Sequence, residues 1–214
     1  EIIKLKDSGI QSLIFDLRGN GGGSLIAAIK IAGLFVDEGP MVQVKTSGQH
    51  VKSYNDRDKG SVWDGPLVVM VNEGTASASE IVAAALQDYG RALVLGTSQT
   101  FGKGTVQNIL DFDRAAGPFN SSLRPLGALK LTIQKYYRIS GGTTQLDGVQ
   151  SDIILPHPYE NFSFGEREME FPLPVDKVLP VAYDSVSNRN FEKVILKSQN
   201  RISTNSEFKQ IKAY

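Results

Sequence analysis

Residues 66–96 read PLVVMVNEGTASASEIVAAALQDYGRALVLG. The run Pro66 to Val71 is short, apolar and rich in valine, the composition of a strand buried on both faces. Asn72-Glu73-Gly74-Thr75-Ala76 breaks it with turn-forming residues. Ser77-Ala78-Ser79-Glu80 then has the Ser-x-x-Glu spacing that opens a helix. That helix is expected to reach about Tyr89, with Gly90 as its stop. Ala92 to Leu95 is a further buried strand. Strand, turn, helix and strand in about thirty residues is the repeating unit of a parallel α/β sheet.

The same unit occurs upstream. Ser12 to Leu17 (SLIFDL) is an apolar run that stops at Arg18-Gly19-Asn20-Gly21-Gly22-Gly23. From Ser24, Leu25, Ile29, Ala32 and Val36 recur at helical spacing. Glu1 to Gly9 reads as the polar end of a helix, and the start of the chain looks cut, with no signal-peptide pattern. Met41 to Lys45 alternates like a strand, and His50 to Asp64 is polar and loop-like. Downstream, Gly96 to Gly104 is a loop. Thr105 to Phe112 and Ala128 to Ile139 read as longer strands separated by a polar loop around Asn120. Gly141-Gly142 marks a turn and Asp152 to Leu155 a short closing strand. Residues 156–180 are rich in Pro, Glu and Phe, as in a linker or wrapping loop. Phe191 to Ile202 and Ser206 to Ile211 suggest two short helices. The expected class is α/β, with a core over 1–156 and a linker and small helical extension over 157–214.

Composition narrows the function. The chain has 214 residues, 41% hydrophobic and 21% charged, with 23 Lys and Arg against 23 Asp and Glu. This is a globular composition without the basic excess of a nucleic-acid binder. The longest apolar stretch, Ser24 to Val36, is broken by Lys30 and Gly33 and is too short for a membrane span. There is no Cys, which excludes thiolate catalysis and cysteine metal sites. Only His50 and His157 occur, too few for a His-rich metal site. No cofactor is implied.

Ser77 has two compatible readings. It is a helix N-cap, and it is a serine on a strand-to-helix turn, where free backbone N–H groups and the helix dipole favour a developing oxyanion. A serine nucleophile needs a base. His50 lies in a polar loop and His157 between two prolines. Lys103, in Thr100-Phe101-Gly102-Lys103-Gly104-Thr105, is flanked by glycines and has no neighbouring carboxylate in sequence. A lysine whose head is desolvated loses its preference for the charged form and can act as a base. A solvent-facing or phosphate-binding lysine is the alternative. A P-loop is excluded, because five residues separate Gly96 from Gly102 and the segment leads into a strand. The Gly19–Gly23 cluster is a tight turn or a place of close backbone approach to a ligand, and the Gly23 N–H is a candidate oxyanion donor. It is not a dinucleotide fingerprint.

Taken together, DLRGNGGG (16–23), SASEIVAAALQDYGRALVLG (77–96), FGKGTVQ (101–107), IQKYYRISGGTTQ (133–145) and GVQSDIILP (148–156) resemble the tail-specific, or C-terminal processing, proteases. The resemblance implies a ClpP/crotonase-like α/β core, preceded in the full-length protein by a PDZ domain. It implies a periplasmic endopeptidase acting on unfolded or C-terminally tagged proteins with nonpolar ends, including envelope proteins, and no nucleic acid. By motif, Ser77 matches the nucleophile, Lys103 the base and Gln107 the residue orienting its amine. Gly23 and Ala78 match the oxyanion-hole donors, and Glu80 and Asp88 match supporting positions. Glu80 suits a capping role, and Asp88 is expected near Arg91 at the helix end. Three departures stand out. Lys103 follows Ser77 by 26 positions, one more than the family pattern implies. Thr75 stands where Ser is common, and Ser151 stands where Pro is usual. A peptide-binding scaffold without turnover and an acyl-CoA-handling crotonase-type enzyme remain the competing classes.

Overall fold

The apolar runs fall into one parallel sheet. Leu13–Asp16 (β1) pairs with Leu67–Val71 (β4), which pairs with Leu93–Gly96 (β5), which pairs with Ile153–Ile154 (β8). These assignments come from a computed structural model that describes residues 1–48, 50–117, 124–186 and 191–213. A second, antiparallel sheet has the order β3-β2-β7-β6, built from Lys52–Asp56 (β3), Gly39–Thr46 (β2), Ala128–Tyr137 (β7) and Thr105–Asp111 (β6). The architecture is therefore mixed α/β.

Helix Ala78–Asp88 (α3) is buried without a break from Ala78 to Leu86. It touches β5 on one side, β2 on the other, and helix Leu25–Gly33 (α2) alongside. A helix so enclosed is apolar over most of its surface, with Ser79 and Glu80 the buried polar exceptions in its first turn, and the small side chains of Ala83, Ala84 and Ala85 let the sheets approach it. Alanine also favours the helix intrinsically. The helix ends in a Schellman motif: Gly90 has φ +62°, its N–H donates to the Gln87 carbonyl, and the Arg91 N–H donates to the Leu86 carbonyl.

The structure corrects three expectations. The segment 50–64 is not all loop, because Lys52–Asp56 forms β3 on the edge of β2. Its polar composition fits an edge strand, which solvates one side. The strand from Thr105 ends at Asp111, and Phe112–Ala115 turns into a short helix (α4) whose N-cap Asp111 accepts the Arg114 N–H. The loop expected around Asn120 lies outside the described residues. Asp88 does not meet Arg91. It pairs with Arg138 at 2.6 Å, while Arg91 turns into the core and donates to the carbonyls of Phe35 and Trp63.

After β8 the described residues follow an irregular path broken by a 3₁₀ turn, Glu166–Glu168. Helices Phe191–Thr204 (α5) and Ser206–Lys212 (α6) close it, each slightly longer than its sequence pattern suggested. No described helix is long and apolar enough to cross a membrane.

Candidate active site

Three parallel strands end side by side, so their following loops meet at one edge of the sheet, the usual ligand-binding edge of such sheets. After β1 comes the glycine turn, after β4 the Ser77 turn, and after β5 the loop carrying Lys103. Hydrogen bonds lock the three together. Asn72 Oδ1 accepts the Gly19 N–H at 2.8 Å, and the Asn20 carbonyl accepts the Ala76 N–H at 2.9 Å. The buried Thr75 hydroxyl donates to the Leu17 carbonyl at 2.8 Å, and the Thr75 carbonyl accepts the Phe101 N–H at 2.9 Å.

Gly22 explains much of the glycine cluster. It has φ +96°, and a Cβ there would lie 2.7 Å from both the Ala76 carbonyl oxygen and the Ala78 nitrogen. The close approach at Gly22 is thus made within the chain, to the Ser77 turn, where the sequence suggested approach to a ligand. Gly22→Ala is expected to cost at least about 2 kcal/mol of stability. It should also lower turnover by about a hundredfold through displacement of that turn. Urea unfolding and a turnover assay on the variant check both numbers.

Ser77 sits at the N-cap of α3 with φ +58° and ψ −119°, a conformation that L-residues avoid. Two buried side chains hold it there. The Glu80 carboxylate accepts the Ser77 N–H at 2.7 Å and the Lys103 N–H at 3.0 Å on one oxygen. On the other oxygen it accepts the Thr100 hydroxyl at 2.6 Å and the Gly102 N–H at 2.8 Å. Glu80 therefore does more than cap: it joins the serine turn to the lysine loop. Burial pushes its carboxyl up to about 7, against the four donors that hold it down.

On the carbonyl side stands Tyr136, from the inner end of β7. Its hydroxyl donates to the Lys103 carbonyl and lies 3.1 Å from the Ser77 carbonyl oxygen. Burial first, and the Glu80 carboxylate second, push its hydroxyl well above the usual phenol range, so it remains a donor. The Thr144 hydroxyl supports the same Lys103 carbonyl at 3.2 Å. Nothing in the local sequence separates Tyr136 from an ordinary core tyrosine, because its partners lie 33 and 59 positions away. Tyr136→Phe is expected to lower kcat about tenfold with little change in KM, since the loss acts on placement and not on binding. Steady-state kinetics on the purified variant test this.

Ser77, Ala78, Gly23, Lys103 and Gln107 all border one cavity of about 430 Å³, with Leu25 and Ile81 as apolar wall. Gln107 reaches it across a bulge in β6, where the register with β7 shifts between Val106 and Gln107. The Ala78 N–H, first in its helix, has no acceptor within the helix. No direct hydrogen bond joins the Lys103 amine to the Ser77 hydroxyl or to Gln107 among the described residues. Catalytic contacts in unliganded sites are often long. His50 is exposed and lies outside the cavity. His157 pairs with Glu73 at 2.9 Å. Asp88 is engaged by Arg138 and Ser140. No group of three metal-ligating side chains occurs among the described residues.

Residues 1–155 match Peptidase family S41, and residues 159–214 match the C-terminal domain of tail specific protease (DUF3340). The chain belongs to peptidase family S41. It is 42% identical to the tail-specific protease of Haemophilus influenzae over 89% of this chain and 27% of that one. It is 38% identical to the carboxy-terminal-processing protease of Bartonella bacilliformis over 78% of this chain and 37% of that one. Among solved structures, the photosystem II D1 C-terminal processing protease superposes with a TM-score of 0.60 at 35% identity, covering 72% of this chain and 36% of that one. The S41 chain described here thus spans well under half the length of these relatives.

Proposed function

We propose that this S41 chain carries the catalytic centre of a serine endopeptidase that processes or degrades proteins with nonpolar C-termini, using Ser77 as nucleophile and Lys103 as base. One observation carries the reading. A serine on a strained strand-to-helix turn and a glycine-flanked lysine border the same cavity as the backbone at Gly23 and Ala78.

The chemistry follows from that arrangement. The Lys103 amine takes the Ser77 hydroxyl proton as Oγ attacks the substrate carbonyl carbon. The new oxyanion is received by the N–H groups of Gly23 and Ala78, with the α3 dipole behind them. The C–N bond breaks, and the Lys103 ammonium returns its proton to the departing amine. Water then attacks the Ser77 ester, giving its proton to Lys103, and the acid product leaves as Oγ is reprotonated. Gln107 orients the amine. Leu25 and Ile81 suit an apolar side chain on the acyl side. The names of the relatives support a substrate cut near its C-terminus. The family resemblance adds a periplasmic site of action and an upstream PDZ domain as partner, and cell fractionation and limited proteolysis test those two points.

The decisive experiment incubates the intact protein with an unfolded protein ending in nonpolar residues and follows fragments by mass spectrometry. Cleavage should vanish in Ser77→Ala and persist in His50→Ala. Fragments that still form in Ser77→Ala would remove the peptidase reading and leave a binding scaffold or a crotonase-type enzyme.

A further inference from the structure

A second cavity, of about 480 Å³, adjoins the first, and the two share Gly21, Lys103, Thr105, Gln107 and Lys130. Ser77 borders only the first. The second is lined by four apolar side chains, Phe101 from the lysine loop with Met169, Phe171 and Leu173 from the segment after β8, next to the Glu166 carboxylate of that same segment. Phe171 is 85% exposed and Met169 53% exposed. Large apolar side chains open to water beside a reaction centre mark a binding surface.

This wall is fastened to the lysine loop. The Glu166 N–H donates to the Phe101 carbonyl at 2.8 Å, and the Phe164 ring meets the Phe101 ring edge-on at 5.6 Å. The buried Gln145 side chain accepts the Gly104 N–H at 2.8 Å and donates to the Leu173 carbonyl at 3.1 Å. One amide thus ties the loop after β5 to the segment after β8.

Reaction chemistry fixes which part of a substrate comes here. The base that takes the serine proton must hand it to the departing nitrogen, so the departing half of the substrate runs past Lys103. The second cavity borders Lys103 but not Ser77. We propose that it is the subsite for an apolar side chain on the departing, C-terminal side of the cleaved bond, and that the C-terminal segment thereby takes part in choosing substrates. The inference rests on the peptidase reading of Ser77 and Lys103.

The test uses the intact protein and peptides with one acyl half, differing only in Leu or Asn (the same side-chain heavy-atom count and branching) among the residues after the cleaved bond. A methyl ester of the same acyl half, which has no departing peptide, reports the dyad and normalises each variant. The wild type should prefer the Leu peptide about tenfold or more in kcat/KM. In Phe171→Ala/Met169→Ala the normalised preference should fall to about twofold or less. A preference that survives in the double variant overturns the inference and leaves the peptidase reading intact. If Ser77→Ala still turns over peptide and ester, the underlying reading fails and the inference falls with it.

Discussion

Ser77→Ala and Lys103→Ala are each expected to lower peptide hydrolysis by about 10⁴-fold or more, and the double variant to be no worse than either alone. A nucleophile and its base act as one unit, so losing the second after the first removes nothing further. Lys103→Arg separates the base from a mere positive charge. A guanidinium keeps the charge but does not give up its proton in proteins, so the Arg variant should be as inactive as the Ala variant. Residual cleavage in all of these variants reflects the oxyanion donors and substrate binding alone. Single-turnover measurements with a fluorogenic peptide cover the needed range. Appreciable activity in Lys103→Arg would show that Lys103 acts by charge and not by proton transfer.

Glu80→Gln is expected to lower kcat by about a hundredfold while the fold persists. The carboxylate is surrounded by four donors, three of them backbone N–H groups of Ser77, Gly102 and Lys103. An amide nitrogen in place of one oxygen faces donors with a donor, so one pair of contacts breaks. The serine turn and the lysine loop then lose their common anchor, and displacements of about 1 Å in such a site cost about a hundredfold. The same group gives a pH signature. Its carboxyl titrates at about 7 in the folded protein, against 4.5 ordinarily. Between those values the folded state holds a proton that the unfolded state does not. This group's contribution to stability is therefore fully present below 4.5 and is lost as pH rises through about 7. Activity should move the other way, because protonation puts a hydrogen where a donor already points. Wild-type kcat should fall below about pH 7 while thermal stability rises, and the Glu80→Gln stability profile should be flatter over the same range. Parallel thermal melts and kcat measurements at pH 5 and pH 8 check this. A kcat that stays level through pH 7 would detach Glu80 from the dyad.

The amino-acid order alone determined the parallel half of the fold. Short apolar runs such as Leu67–Val71 and Leu93–Gly96, punctuated by Gly and a Ser-x-x-Glu start, can satisfy burial on both faces only as inner strands joined through buried helices. Ser77, Lys103, Gln107, Gly23 and Ala78 could be named as candidates from local pattern and family motif, and the structure brings all five to one cavity. The edge strand Lys52–Asp56 was not legible, since its polar residues read equally well as loop. Nor were the roles of Tyr136, Thr75 and Gln145, whose side chains look ordinary in sequence and gain meaning only from partners tens of positions away. Glu80 was readable as a cap through Ser77, three residues before it, but not as the tie to Gly102 and Lys103, which needs the loop after β5 folded back upon it. The bulge that turns Gln107 toward the cavity depends on register with β7. Local pattern decides which elements form, because burial and capping act over a few residues. Packing decides what a side chain touches, because hydrogen-bond partners are set by distance in space and not along the chain.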